Sequence, residues 1–450
     1  MDNAIFIKGG TLITADPQDR IREADLLIAN GRIERIIERD QPVSLSSGPD
    51  PEHIRVVDAN GSAVLPGFVQ THVHLCQTLM RGCADDMRLI EWLRTRVWPL
   101  EAAHTPETIR TSAYLGVAEL IRGGTTTALT METVNHTGSV FQAVEETGFR
   151  AIVGKCMMDA RGGAPVELIE DTYRSLDESL SLIEEWNGRG SGRIKAALAP
   201  RFAVSCTRRL LEMISEASRE KGLMIHTHAS ETEEETRIIR ERTGLDNIDY
   251  LHELGLTGSR SVFAHCVWAT DNEVAVLASS GTAVAHCPSS NLKLGSGIAR
   301  IHEMSERGVR LSLGADGAPC NNRLDQLTEM RTASLLQKVR VGPERLPARA
   351  AFRMATIDGA RALGLGEEVG SIEVGKRADL TILSLDRLHL LPQPDLVSTV
   401  VYASERSDIE TVIIDGELVM ENKALLTIDE QELKAKARED SRKLFERAGL

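Results

Sequence analysis

No two of the seven cysteines (76, 83, 156, 206, 266, 287 and 320) stand in C-x-x-C spacing, which argues against a thiolate zinc motif and against a disulfide framework. They read as small, reduced, mostly buried residues. No cluster of Lys and Arg offsets a net charge of −14, so nucleic acid is not an expected partner and a neutral or cationic small molecule suits better. No apolar run reaches the length of a membrane span, and the first ten residues lack a basic stretch followed by an apolar one. A cytoplasmic protein without a membrane partner is expected. The protease signature H-E-x-x-H is missing, because His252-Glu253 and His302-Glu303 have no second histidine at the required offset. The H-x-E with P-C-x-x-C pattern of the compact zinc deaminases is missing too.

What is present is an ordinary globular composition over 450 residues, 42% hydrophobic and 26% charged, enough for a large core and most simply two domains. The first sixty residues read as short strands, with Asn30-Gly31 between two apolar runs as a hairpin signal. The same texture returns at Ala378 to Leu383 and at Glu410 to Val419, centred on Asp415-Gly416. The two ends are therefore expected to build one small β domain, residues 1–62 and 366–450, closed by a packing helix that turns Leu433, Leu444 and Phe445 inward.

Between them, over 63–365, a short β-branched run followed by a helical pattern recurs eight times. Strands are expected at 63–74, 125–130, 151–158, 194–199, 224–228, 261–265, 282–286 and 309–316. Eight such units imply an α/β fold, a closed (β/α)8 barrel of the TIM type carrying a small β-sandwich domain.

Such barrels work at the C-terminal ends of their strands. Those ends carry Thr71-His72-Val73-His74, His226-Thr227-His228 with Glu231 three residues on, His265, His286 and Asp316. Alternation turns His72 and His74 to the same inner face. With His228 and Asp316 they form a set suited to one divalent metal, zinc or else ferrous iron, that keeps a position open for water. His228 is preferred to His226, which reads as a core histidine, because it lies nearer the mouth and precedes Glu231. Glu231 is placed to move a proton from water to a ring nitrogen, His265 to steady the tetrahedral intermediate, and Asp316 to accept a hydrogen bond from the attacking water. His286 reads equally as a second contact or as core. No lysine ends the fourth strand to bridge two ions, Lys195 being at its start.

These segments, with Leu65-Pro66-Gly67-Phe68, His286-Cys287-Pro288-Ser289-Ser290-Asn291-Leu292-Lys293-Leu294 and Gly370 to Leu380, resemble the amidohydrolase superfamily over nearly the whole chain. The branch most similar contains guanine, cytosine and adenosine-type deaminases and triazine hydrolases. The resemblance implies zinc and a homo-oligomer. Gly154-Lys155-Cys156 and Ala199-Pro200-Arg201-Phe202 are similar to guanine deaminases, where residues matching Arg201 and Gln77 hold a ring carbonyl; Phe202 suits ring stacking. Leu79 to Asp86, Trp92 and Trp98-Pro99-Leu100-Glu101 resemble instead deaminases of adenosine, methylthioadenosine and S-adenosylhomocysteine, where the matching Trp and Glu contact the nucleoside. Hydrolytic deamination of a guanine-like purine or pterin is the reading favoured from sequence. A 5′-substituted adenosine is the alternative, an s-triazine losing chloride or amine a further one, and a scaffold that has lost its metal the last.

Overall fold

The structure, a computed structural model, describes residues 4–39 and 54–450. One of its two sheets is parallel and curled, with strands Phe68–His74, Thr125–Met131, Arg150–Met157, Ile194–Pro200, Ile225–Ala229, Ser261–His265, Ala283–His286 and Arg310–Leu313, in chain order. A short piece, Asp316–Gly317, then pairs with the first strand, Asp316 opposite Val73 and Gly317 opposite His74, and closes the barrel. The seam is fixed by Thr71 Oγ1, which lies 2.8 Å from Ser312 Oγ and donates to Leu313 O at 2.9 Å. Gly314 is required there, since a Cβ would stand 2.8 Å from the Cβ of His72. Helices run between successive strands and cover the barrel's outer face.

Two expected strands are subdivided. The run expected from Ala63 to His74 is two strands: Ser62–Pro66 pairs with Leu380–Ser384 and with Thr11–Ile13 in the terminal sheet, and the barrel strand begins only at Phe68. Pro66 has no N–H to continue a ladder, and Gly67 passes so close to Thr126 that a Cβ would meet its side chain at 2.2 Å. The run expected from 309 to 316 likewise breaks at Gly314-Ala315, which re-aims Asp316.

Among the described residues the other sheet takes ten strands from both chain ends. Its hairpin turns Asn30-Gly31 and Asp415-Gly416 have positive φ at all four residues, as two-residue turns matching strand twist require. They touch: a Cβ on Gly416 would lie 2.6 Å from Gly31 Cα. Arg150 on the third barrel strand ties this sheet to the barrel, bonding both oxygens of Asp379 at 2.8 and 2.9 Å. The closing helix Glu430–Ala448 lies on the barrel side, with Leu444 buried among Leu79, Met80 and Leu100 and Phe445 partly buried beside them. All seven cysteines are free, six of them buried. Among the described residues no helix is long and apolar enough to cross a membrane.

Candidate active site

Four strand ends deliver the polar groups to one point. His72 and His74, two apart on the first strand, turn the same way; each brings its Nε2 to 3.2 Å from Asp316 Oδ1. His228 on the fifth strand brings its Nε2 to 3.2 Å from that of His74. Ligand atoms of His72, His228, His265 and Asp316 lie within 4.8 Å of one another.

The far side of each ring decides which nitrogen is bare. His74 Nδ1 donates to Met131 O at 2.6 Å, and His228 Nδ1 to Arg201 O at 2.6 Å. His226, expected as core, also orients a neighbour. Its Nδ1 donates to Val262 O at 3.0 Å, leaving Nε2 to accept from His72 Nδ1 at 2.8 Å. Three imidazoles are thus fixed with unprotonated Nε2 atoms facing a carboxylate. Burial pulls the pKa of His72 down and those of His226 and His228 well down, so the rings stay neutral. The Nε2 of His72 is buried without a hydrogen-bond partner. Bare nitrogens and carboxylate oxygens facing one another with no proton between them fit a divalent cation, and four such donors match zinc chemistry.

Glu231 follows the fifth strand and is held by the helix that begins just after it. Thr232 caps the helix Glu233–Thr243 by accepting from Glu235 N, and Glu235 in turn accepts from Glu231 N at 2.8 Å. Burial, with the charges of Asp316 and Glu235, pushes the Glu231 carboxyl well above the usual range. Its protonated form is therefore favoured relative to that of an exposed glutamate. His265 Nε2 lies 3.6 Å from Glu231 Oε2 and 3.8 Å from Asp316 Oδ2, and burial lowers its pKa to about 3. Ser230, His265, Cys266 and Asp316 all have positive φ. Left-handed backbone costs such residues about 1–3 kcal/mol each and concentrates at functional sites.

A half-open pocket lies over these groups, with about 380 Å³ of atom-free space that includes open solvent. Gln77, Trp92, Arg201 and Phe202 line it with Leu89, Leu93 and Leu294, beside His74, His228, Glu231 and Asp316. Trp92 ends a helix that continues as a π-helical turn, Leu93–Val97. Glu101 does not line it. It lies behind, accepting from Arg201 at 2.6 and 3.2 Å and from Gln77 Nε2 at 2.8 Å. Two residues that sequence assigned separately to the substrate are thus bonded to each other, and the Gln77 amide is turned so that its buried Oε1 has no partner.

Lys155 pairs with Glu170 and does not line the pocket. His286 is buried with both ring nitrogens unpartnered. Ser290, Asn291 and Ser296, which the sequence alone did not single out, bond Asp316, His265 and Glu231. The one available signal was three small polar residues within or just after the segment from His286 to Leu294.

A buried cluster of histidine and carboxylate at the mouth of a (β/α)8 barrel defines a hydrolase of the metal-centre type. Residues 63–419 match the model of the amidohydrolase family, and the chain belongs to that family: it is a hydrolase acting on carbon–nitrogen bonds of cyclic compounds, of the deaminating kind. It is 42% identical, over 88% of its length and 90% of the relative's, to a 5-methylthioadenosine/S-adenosylhomocysteine deaminase of Syntrophomonas wolfei. It is 38% identical to a 5′-deoxyadenosine deaminase of Methanobrevibacter smithii, with 99% of both chains covered. The crystal structure of an adenosine deaminase from Xanthomonas campestris with bound zinc superposes with a TM-score of 0.89 at 31% identity, covering 98% of each chain. These relatives favour the adenosine alternative over the guanine-like reading drawn from sequence.

Proposed function

We propose that the protein deaminates a 5′-substituted adenosine, replacing the exocyclic amino group of the purine by oxygen and releasing ammonia. The observation that carries the reaction is the convergence of three bare imidazole nitrogens and the Asp316 carboxylate beside Glu231. Nearly full-length similarity to deaminases named for methylthioadenosine and 5′-deoxyadenosine supports the substrate.

In this reading His72, His74, His228 and Asp316 hold one divalent ion, for which zinc fits the donor set. When bound, the ion supplies a water acidic enough to ionise near neutral pH. Asp316 would accept a hydrogen bond from a water held there and orient it. Glu231 carries the water's proton to the ring nitrogen, which makes the adjacent carbon electrophilic. The water oxygen bonds to that carbon, and Glu231, again a carboxylate, passes the new hydroxyl's proton to the amine, which leaves as ammonia as the carbon–nitrogen bond breaks and the carbon–oxygen double bond forms. His265 donates its N–H toward the oxygen on which negative charge collects. Leu89, Trp92, Leu93, Phe202 and Leu294 receive the flat ring and keep bulk water from it.

A guanine-like ring is the second reading, favoured by Gln77 and Arg201 in the lining. Ammonia release from 5′-methylthioadenosine, 5′-deoxyadenosine, S-adenosylhomocysteine, guanine and an aminotriazine decides between them. The adenosines are expected to lead in kcat/KM by at least ~100-fold; guanine leading would replace the adenosine reading by the second one.

A further inference from the structure

One short segment reaches all three groups to which the proposed chemistry assigns a hydrogen bond or a proton. The helix Pro288–Lys293 and the residues just after it carry Ser290, Asn291 and Ser296, each almost wholly buried. Ser290 Oγ donates to Asp316 Oδ2 at 2.6 Å, the oxygen turned away from His72 and His74. Asn291 Nδ2 lies 2.9 Å from His265 Nδ1. Ser296 Oγ donates to Glu231 Oε1 at 3.3 Å. The segment is pinned after Asn291: Lys293 Nζ bonds Pro319 O at 3.0 Å and Asn322 Oδ1 at 3.1 Å, and the Trp268 indole donates to Ser296 O at 2.7 Å.

We propose that Asn291 is a positioning residue that fixes the His265 ring with its proton on Nε2, aimed at the carboxylates of Asp316 and Glu231. Two independent contacts agree on this tautomer. On one side Nε2 lies 3.8 Å from Asp316 Oδ2 and 3.6 Å from Glu231 Oε2, and the Asp316 carboxylate favours a proton there. On the other, Nδ1 must then be bare, and the Asn291 amide offers it an N–H. His265 is thereby the inverse of its neighbours. His74 and His228 give their Nδ1 protons to backbone carbonyls and present bare Nε2 atoms; His265 presents a donor. The same cluster of imidazoles is divided into rings that take a cation and one ring that gives a hydrogen bond, and a single amide makes the division. The kinetic consequence rests on the deaminase reading above; the ring tautomer does not.

The test is Asn291→Asp, nearly isosteric, with Asn291→Ala beside it. An aspartate accepts where the amide donates, so the proton moves to Nδ1 and His265 loses its donor. In zinc-loaded protein labelled with nitrogen-15 histidine, the His265 Nε2 signal, assigned by its loss in His265→Gln, is expected to change from the protonated to the bare type in Asn291→Asp. Zinc content should stay the same. With 5′-methylthioadenosine, kcat should fall by ~100-fold or more in Asn291→Asp and less in Asn291→Ala, while KM stays within about threefold. An unchanged nitrogen spectrum, or an Asn291→Asp variant with wild-type kcat, would overturn the assignment. The spectrum requires no substrate, so it separates failure of this inference from failure of the substrate reading.

Discussion

Glu101 and Arg201, a hundred residues apart in sequence, form a two-point ion pair at the pocket wall, Arg201 in the lining and Glu101 behind it, with contacts of 2.6 and 3.2 Å and almost no exposed side-chain surface. The Arg201 guanidinium faces the pocket with its counter-charge directly behind it, so the wall carries no net charge from the pair. The pair also orients Gln77, whose amide donates to Glu101 and leaves its carbonyl as an acceptor.

Breaking that pair from one side leaves a buried charge alone. Arg201→Met is expected to cost ~3–5 kcal/mol of stability, and Glu101→Gln a comparable amount, whereas the double variant should lose less than the sum. Denaturant unfolding of the four proteins measures the coupling. Additive losses would mean that the two side chains do not depend on each other.

His226 shares a hydrogen bond with His72 and touches no other member of the proposed ligand set through one. His226→Phe should keep every ligand yet weaken zinc affinity by ~10–100-fold, because the His72 ring is no longer fixed in the tautomer that frees Nε2. Competition with a chelator reads the affinity directly. An unaltered zinc affinity would return His226 to a packing role.

Glu231→Gln retains the shape of the pocket and removes the proton carrier. Zinc content should be unchanged, with kcat lower by ~100-fold or more. Turnover near that of the unaltered protein would take Glu231 out of the mechanism.

His104 is buried, with Nδ1 3.0 Å from Thr108 Oγ1 and Nε2 3.0 Å from Cys76 O. Burial lowers its pKa to about 4 from an ordinary 6.5. The unfolded chain binds this proton more readily than the folded one, so the stabilisation is complete above pH 6.5 and is lost as pH falls through 4. About 1.4 kcal/mol per pKa unit makes the span ~3 kcal/mol. His104→Gln should therefore be less stable than the unaltered protein at pH 7.5 and should approach it near pH 4.5. A melting-temperature difference independent of pH would contradict this.

Much of the barrel is legible in the sequence because its signals are local. A run such as Thr125 to Thr130 announces a strand by its own composition, and alternation alone turns His72 and His74 to one face. The subdivision of Ala63 to His74 is not legible, because it depends on Thr126 crowding Gly67 and on Leu380–Ser384 claiming the first half as a partner. The same limit hides Glu101 behind Arg201: each residue type suits a substrate contact, and only the fold brings the two together. His226 and His228 share a face by alternation, and depth alone separates them. One level into the barrel, His226 meets His72 instead of the pocket.

Whether His72, His74, His228 and Asp316 share one divalent ion is decided by X-ray absorption at the zinc edge on the purified protein, quantified by elemental analysis. One zinc per chain is expected, with three nitrogen neighbours and carboxylate oxygen at ~2.0–2.2 Å, and His74→Ala should lose one nitrogen and most of the metal. Protein with no stoichiometric metal after zinc loading, or with a sulfur shell in place of nitrogen, would contradict it.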